Sequence, residues 1–140
     1  MIIGTGASGM AFADVLVTEG ENNNNNNTII MIDKNTNPGG HWNHAYDFIR
    51  LHQPACYYGV ASEKLENFSS SSKKKSHLSS KQEILDYYQM IMDKMIRTGR
   101  VQHYGNCTYI GRREEEDNDN DGDMVIIRKE GEKKGEESTT

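Results

Sequence analysis

Residues 1–20 read MIIGTGASGMAFADVLVTEG, and this stretch decides the fold class. The apolar residues Met1–Ile3 predict the end of a strand, and a glycine-rich turn follows them. From about residue 8 to residue 19 the chain is rich in alanine, methionine, valine and leucine, which predicts a helix that Gly20 ends. This helix is apolar over most of its circumference, so we expect it to be buried between a sheet and another layer.

The spacing of the glycines in this turn predicts a dinucleotide-binding loop. Gly4, Gly6 and Gly9 form the pattern G-x-G-x-x-G between a strand and a helix. In such loops the first glycine allows a tight turn, the second lets a pyrophosphate approach the backbone, and the third lets the helix pack closely on the strand. The first helical N–H groups, at Ala7 and Ser8, would face the phosphates at the positive end of the helix dipole.

An acidic residue ends the next predicted strand. Residues 28–33, TIIMID, have the length and β-branching of a buried strand. Asp33 stands 24 residues after Gly9, and the six asparagines at 22–27 account for the excess over the usual spacing of about 20. A carboxylate there accepts hydrogen bonds from a ribose 2′-hydroxyl and repels a 2′-phosphate, which predicts binding of the adenosine half of FAD or NAD and not NADP. A Rossmann-like unit with a glycine turn and no ligand is the alternative.

The segment after the acid carries two further motifs. Residues 33–42 read DKNTNPGGHW and resemble the second FAD-contacting segment of flavoproteins with two dinucleotide-binding domains, most of all the flavin-containing and Baeyer–Villiger-type monooxygenases. Residues 39–60, GGHWNHAYDFIRLHQPACYYGV, are similar to a family of FAD/NAD(P)-binding oxidoreductases that carries G-G-H-W and R-L-H-Q-P. The resemblance extends from residue 1 to about residue 112.

The resemblance implies contacts with FAD. Gly39 and Gly40 would let the backbone pass close to the pyrophosphate or ribityl chain. Trp42 would pack against the cofactor or wall its cavity, and Arg50 would bridge to phosphate or to an acidic partner. The complete set of predicted cofactor-binding residues is Gly4, Gly6, Ala7, Ser8, Gly9, Asp33, Lys34, Gly39, Gly40, His41, Trp42, Arg50, His52 and Gln53.

Structural roles stay open for several of these residues. The resemblance places His52 and Gln53 near the isoalloxazine, but a structural histidine is the favoured interpretation of His52. The glycine pair after Pro38 is also typical of a simple turn. Trp42, with either of the tyrosines at 57 and 58, is also typical of an ordinary core. The residues alone identify no catalytic group.

The second half of the chain predicts a helix and two strands. Residues 80–99, SKQEILDYYQMIMDKMIRTG, begin with a capping box of Ser80 and Glu83 and end at Gly99. One face of this helix is apolar, and it carries Ile84, Tyr88, Ile91 and Met95. Residues 101–111 predict one strand, kinked near Gly105, and residues 124–130 predict a second, with the acidic run between them as a hairpin loop.

The predicted fold class is α/β: an incomplete Rossmann-like FAD/NAD(P)-binding βαβ domain with a β-hairpin near the C-terminus. The domain would span residues 1–130, with low-complexity insertions at 22–27, 69–76 and 114–123. Residues 131–140 would form a disordered charged tail.

Composition limits the class of partner. The net charge of −5 and the lack of a clustered basic face speak against nucleic acid. No apolar run approaches the about 18–20 residues of a membrane span, and no basic segment marks a signal peptide. Cys56 and Cys107 show no metal or disulfide pattern, so we expect a reducing, cytoplasmic location. His41 and His44 have no third ligand, so no metal site is predicted.

The acidic run contains a partial calcium-loop pattern. Asp117, Asp119, Asp121 and Gly122 match the first half of an EF-hand loop. The twelfth position must supply a bidentate glutamate, and Arg128 stands there. A solvated hairpin loop is therefore the favoured interpretation.

The resemblance implies the FAD-binding portion of a monooxygenase-like, flavin-dependent oxidoreductase that uses NAD(P)H and oxygen on a small organic substrate. The chain has one G-x-G-x-x-G, where such enzymes have a second for NADPH, and later strands of the FAD domain have no counterpart. We therefore expect a truncated or degenerate copy. A non-catalytic FAD- or NAD-binding module is the alternative, and a plain NAD-binding domain is disfavoured because it has no need of the GGHW segment.

Overall fold

A computed structural model describes residues 1–22, 27–68, 76–113 and 124–129. In chain order the strands and helices are β1 (Ile2–Ile3), α1 (Ala7–Asn22), β2 (Ile29–Ile32), α2 (Leu65–Phe68), α3 (Lys81–Arg97), β3 (Val101–Tyr104), β4 (Cys107–Arg113) and β5 (Met124–Lys129). Two short 3-10 helices, Gly40–His44 and Ala55–Tyr57, lie in the segment between β2 and α2. The rest of this segment is an ordered loop with short turns.

The strands form two sheets. β1, β2 and β3 make a parallel sheet in the order β1-β2-β3, and β4 pairs with β5 in an antiparallel hairpin. Parallel neighbours need long crossover connections, and α1 and the segment that contains α3 supply them. The predicted Rossmann-like α/β fold class and the C-terminal hairpin are confirmed, while the predicted acidic loop of the hairpin lies outside the described residues.

The prediction of a single strand over residues 101–111 is wrong, because the chain changes sheets at Gly105 and Asn106. Asn106 has a φ of 56°, a left-handed conformation that interrupts a strand. A Cβ added to Gly105 would lie 2.3 Å from the Thr36 carbonyl oxygen, so the backbone passes close to the loop after β2. The Cys107 N–H then donates to the Asp33 carbonyl oxygen at 2.9 Å, which starts β4 beside the end of β2.

α3 has the start and the buried face that the sequence predicts. The Ser80 hydroxyl accepts from the Glu83 N–H, and the Glu83 carboxylate accepts from the Ser80 N–H, which completes the capping box. Ile84, Tyr88, Ile91 and Met95 are all buried, together with Tyr87 and Met92. These side chains join Met10, Ala13 and Val17 of α1 and Met31 and Val101 of the sheet in one hydrophobic core.

Gly20 does not end α1 as predicted, because the helix continues to Asn22. The Arg100 guanidinium lies against Gly20, and its Nη1 donates to the Val17 carbonyl oxygen at 2.7 Å. A Cβ on Gly20 would lie 2.1 Å from the guanidinium nitrogen. The glycine therefore makes room for a basic side chain that binds helix carbonyls.

α1 is also less buried than predicted. Met10, Ala13, Asp14 and Val17 face the interior, but Phe12 is 57% exposed, and Val15 and Leu16 are exposed as well. The prediction of burial on both sides is wrong for the described residues, because only one face of α1 is covered.

Polar groups attach the loop between β2 and α2 to the helices α1 and α3. The Tyr87 hydroxyl accepts from the Val60 N–H at 2.7 Å and donates to the Glu63 carbonyl oxygen. Burial raises the pKa of Tyr87 to about 12, so this hydroxyl remains a donor at alkaline pH values that would ionise an ordinary tyrosine. In α1, the Asp14 carboxylate accepts from the Ser62 N–H at 2.9 Å. The loop is therefore held in one position relative to α1 and α3.

Within the described ranges, no helix has the length and apolar character needed to cross a membrane.

Candidate functional site

A cavity of about 560 Å³ lies at the carboxyl ends of β1 and β2. In open α/β sheets, ligands bind in the crevice outside the carboxyl ends of the parallel strands. Four segments bound the cavity: the glycine loop, the end of β2, the glycine-pair segment and the start of β4. The lining residues are Ile3, Gly4, Gly6, Ile32, Asp33, Lys34, Asn35, Gly40, His41, His44, Cys107, Thr108 and Tyr109.

The glycine loop forms one side of the cavity. Gly4 has a φ of 95°, and its N–H donates to the Ile32 carbonyl oxygen at 2.8 Å, which fixes the turn to β2. A Cβ on Gly9 would lie only 2.0 Å from the Gly4 carbonyl oxygen. Gly9 therefore allows α1 to pack directly on the turn, as the sequence predicts.

The two glycine motifs pack against each other, backbone to backbone. A Cβ on Gly40 would lie 2.8 Å from the Gly6 Cα, and Gly40 has a φ of 55°. The Gly39 N–H donates to the Thr5 carbonyl oxygen at 2.9 Å, which ties the segments together. This contact joins residues far apart in sequence, and the spacing of either motif alone gives no signal for it.

Asp33 is buried and its carboxylate binds the protein itself. Oδ2 accepts from the Thr5 N–H at 2.6 Å and from the Thr5 hydroxyl at 2.8 Å, and Oδ1 accepts from the Asn35 N–H at 2.7 Å. Burial alone would raise the pKa of Asp33, but the hydrogen bonds from Thr5 and Asn35 outweigh it and hold the pKa below its ordinary value. Oδ2 thus binds Thr5 of the glycine loop and Oδ1 binds the segment after β2, while the exclusion of NADP stays a prediction.

Polar side chains also line the cavity. The His44 Nε2–H donates to Asn35 Oδ1 at 2.6 Å, so the glycine-pair segment is linked to the end of β2. Lys34 and His41 are exposed and line the cavity. The three side chains at 34, 41 and 44 give the site basic and hydrogen-bonding groups suited to an anionic ligand.

The structure brings only part of the predicted set together. Gly4, Gly6, Asp33, Lys34, Gly40 and His41 line the cavity. Gly9 and Gly39 are closely packed but do not line the cavity, and Ala7 and Ser8 lie at the exposed start of α1.

The remaining predicted residues lie elsewhere on the surface or in the core. Trp42 packs against the hydrophobic core, with its ring centroid 5.1 Å from that of His41. Arg50 donates to the Leu78 carbonyl oxygen at 3.1 Å, and this contact holds the loop to the start of α3. His52 and Gln53 are exposed and are not among the lining residues.

Sequence reasoning missed one wall of the cavity. Cys107, Thr108 and Tyr109 of β4 reach it because the chain changes sheets at Gly105 and Asn106. The glycine and asparagine at this point were the available signal for the break. In the described part of the chain no cluster of three or more histidine, cysteine, aspartate or glutamate side chains could hold a metal ion.

No family model matches the chain. Curated proteins from Mycobacterium bovis and Mycobacterium tuberculosis, described as uncharacterized, are 39% identical over 116 residues, which cover 79% of this chain and 21% of theirs. The chain thus spans about a fifth of the length of the curated relatives it matches.

Solved structures share the fold. A mutant flavin monooxygenase from Stenotrophomonas maltophilia matches 90% of this chain and 32% of its own, with a TM-score of 0.62 at 18% identity. S-allyl-L-cysteine S-oxygenase from Allium sativum matches 92% of this chain and 31% of its own, with a TM-score of 0.64 at 17% identity. OTEMO, in complex with FAD and NADP, matches 98% of this chain and 22% of its own, with a TM-score of 0.56 at 19% identity. The chain therefore has a flavin-monooxygenase-like, Rossmann-like α/β fold.

Proposed function

We propose that the chain is the FAD-binding portion of a monooxygenase-like, flavin-dependent oxidoreductase. The observation that carries this proposal is the cavity of about 560 Å³ between the glycine loop, the end of β2 and the glycine pair. Its volume lies within the range of about 300–1,000 Å³ usual for cofactor sites. The position at the carboxyl ends of parallel strands supports a dinucleotide as the ligand.

The residues of the cavity fit the nucleotide half of FAD. Gly6 and Gly40 present backbone without a Cβ, so a pyrophosphate meets no side chain at this point. The start of α1 adds the positive end of a helix dipole to the same loop. Ile3, Ile32 and Tyr109 give apolar surface against which an adenine ring can pack.

When bound, the flavin would supply the redox and oxygen chemistry, and this chain would bind and orient it. The use of NAD(P)H, oxygen and a small organic substrate belongs to the proposal for the whole protein, and so does a cytoplasmic location. The 140 residues contain one G-x-G-x-x-G, so a second dinucleotide site would come from other residues. The resemblance to monooxygenases and the FAD and NADP in the OTEMO complex support this wider proposal.

One observation favours the second candidate, a non-catalytic FAD- or NAD-binding module. His52 and Gln53, which the resemblance places near the isoalloxazine, are exposed and outside the cavity lining. The two residues that the resemblance assigns to the flavin ring therefore do not line the cavity, whereas the glycine loop and Asp33 do.

We expect the purified chain to retain FAD after desalting, and Gly6→Ala to weaken FAD binding by about tenfold or more. A Cβ on Gly6 would lie 3.5 Å from the Gly40 Cα, an ordinary contact, so the variant should fold while its methyl group occupies space in the cavity. Flavin fluorescence measures the dissociation constant, and circular dichroism checks the fold.

Gly111→Ala is the matched control, because a Cβ there meets nothing within 4 Å and the residue does not line the cavity. It should bind FAD as the parent does. Failure of the parent chain to bind FAD, or equal binding by a folded Gly6→Ala variant, would refute the proposal. Retention of NAD with no affinity for FAD would support the second candidate.

A further inference from the structure

We infer that Asn106 is a positioning residue of the proposed nucleotide site: it holds the corner between β3 and β4 and so places residues 107–109 at the cavity. The inference rests on the proposed function, because Cys107, Thr108 and Tyr109 line the same cavity. Asn106 itself is not a lining residue, so it would act on a ligand only through the residues that follow it.

The backbone of Asn106 turns the chain out of the parallel sheet. Its φ of 56° is left-handed, and within the described ranges it is the one residue other than glycine with a positive φ. This conformation is unfavourable for most residues with a Cβ, whereas asparagine and aspartate tolerate it because their short polar side chains form local hydrogen bonds. Alanine at this position would therefore favour a different backbone conformation at the corner.

Hydrogen bonds hold the corner against the loop after β2. The Asn106 N–H donates to the Asn35 carbonyl oxygen at 3.1 Å. The Cys107 N–H donates to the Asp33 carbonyl oxygen at 2.9 Å. The side chain of Asn106 adds a third bond, because its Oδ1 accepts from the Thr36 hydroxyl at 2.9 Å. Asn106 thus contributes both the backbone conformation of the corner and a side-chain contact that holds it in place.

The corner sets the position of one side of the cavity. Residues 107–109 begin the hairpin strand β4, whereas Ile3 and Ile32 end strands of the parallel sheet, so the cavity lies between residues of the two sheets. A change of backbone conformation at Asn106 would move Tyr109, which is proposed to pack on adenine, away from its place opposite the parallel sheet. The glycine loop and the glycine pair are joined by a hydrogen bond of their own and would keep their positions.

Flavin fluorescence titrations of the full chain test the role of Asn106. We expect Asn106→Ala to weaken FAD binding by about tenfold or more, because alanine loses both the tolerance of a left-handed backbone and the acceptor for Thr36. Asn106→Asp keeps both features and should bind FAD within about twofold of the parent. Asn67→Ala is the matched control, because Asn67 is an exposed residue of α2 and does not line the cavity.

A double-mutant cycle isolates the side-chain contact. Asn106→Gly keeps the left-handed backbone but removes the acceptor, and Thr36→Val removes the donor. Each should weaken FAD binding by about fivefold, the usual effect of one lost neutral hydrogen bond. The double variant should lose no more than either single variant, because both remove the same bond. Losses that multiply to about 25-fold would contradict a role for this bond.

NMR of the free chain separates positioning from a merely structural role. In Asn106→Ala, the backbone amide shifts of Thr108 and Tyr109 should change, while those of Gly6 and Gly40 stay as in the parent. A merely structural role would lower the free energy of unfolding in urea and leave the FAD affinity of the folded chain unchanged.

The outcomes separate this inference from the proposed function. If the parent binds FAD and a folded Asn106→Ala chain binds it within about twofold, the inference alone is wrong. A loss in Asn106→Asp as large as that in Asn106→Ala would also overturn it. Should Asn106→Ala fail to fold, the cycle of Asn106→Gly and Thr36→Val decides. If the parent does not bind FAD, the proposed function fails, and the inference fails with it.

Discussion

Replacement of Gly9 by alanine is expected to destabilise the chain by about 3 kcal/mol, the upper end of the usual cost of overpacking. The added Cβ would lie 2.0 Å from the Gly4 carbonyl oxygen and 3.1 Å from the Gly4 carbonyl carbon. Both are backbone atoms of the turn, so relief requires that α1 move away from β1. Alanine is the better helix former by about 1 kcal/mol, so without this clash the substitution would stabilise α1.

Urea unfolding measures the effect, with Gly111→Ala as the control because its Cβ meets nothing within 4 Å. The control should change the free energy of unfolding by no more than about 0.5 kcal/mol. FAD affinity should fall in parallel for Gly9→Ala, because the turn that is proposed to bind the phosphates moves with the helix. A Gly9→Ala chain as stable as the parent would show that the turn and α1 are not packed as described.

Replacement of Asp33 by asparagine is expected to lower the free energy of unfolding at neutral pH by about 3 kcal/mol. Asparagine keeps one acceptor oxygen and turns its NH2 group towards the donors on the other side, those of Thr5 or that of Asn35, which are then left without an acceptor. Asp47→Asn is the matched control: the Asp47 side chain is 98% exposed and contacts only Lys81 among the described ion pairs. A surface ion pair of this kind contributes little to stability.

The stability that Asp33 contributes also depends on pH. Its folded pKa lies below its ordinary value, so the contribution is complete above the unfolded pKa of about 3.9 and is lost as the pH falls through the folded pKa. Burial opposes a lowered pKa at Glu83 as well, but hydrogen bonds from Ser80 and His77 lower it, so both acids contribute in the same direction.

The difference between the parent and Asp33→Asn therefore isolates Asp33. This difference in the free energy of unfolding should be constant at neutral pH and shrink below the unfolded pKa of about 3.9. A difference that is independent of pH down to the acid transition would contradict the buried, ionised carboxylate.

Patterns that are local in the sequence predicted much of the fold. The glycine loop is predicted from residues 4–9 because its requirements are local: Gly4 adopts a positive φ, and Gly9 packs on the Gly4 carbonyl group. The capping box of Ser80 and Glu83 spans one helical turn, so its residues specify the start of α3 without help from the rest of the chain. The buried strand β2 follows from the length and β-branching of residues 28–33, and the apolar face of α3 follows from its helical periodicity.

Features that depend on contacts between distant residues could not be predicted from local sequence patterns. Gly20 has the typical character of a helix stop, but Arg100, eighty residues later, decides its role. The carboxylate of Asp33 has the expected position in the chain, and its direction depends on Thr5 and Asn35. Gly6 contacts Gly40 only because two distant segments of the chain meet. The residues of β4 line the cavity for the same reason.

The most direct test of the central claim is a titration of the isotope-labelled chain with FAD, followed by NMR at each backbone amide. The account predicts that the largest shift changes occur at the residues that line the cavity, including Gly4, Gly6, Asn35, Gly40 and Thr108. A second hollow, lined by Met1, Phe12, Leu16 and Arg100, lies at the other end of β1 and serves as an internal reference. Changes centred on that hollow, or no changes at saturating FAD, would contradict a dinucleotide site at the glycine loop.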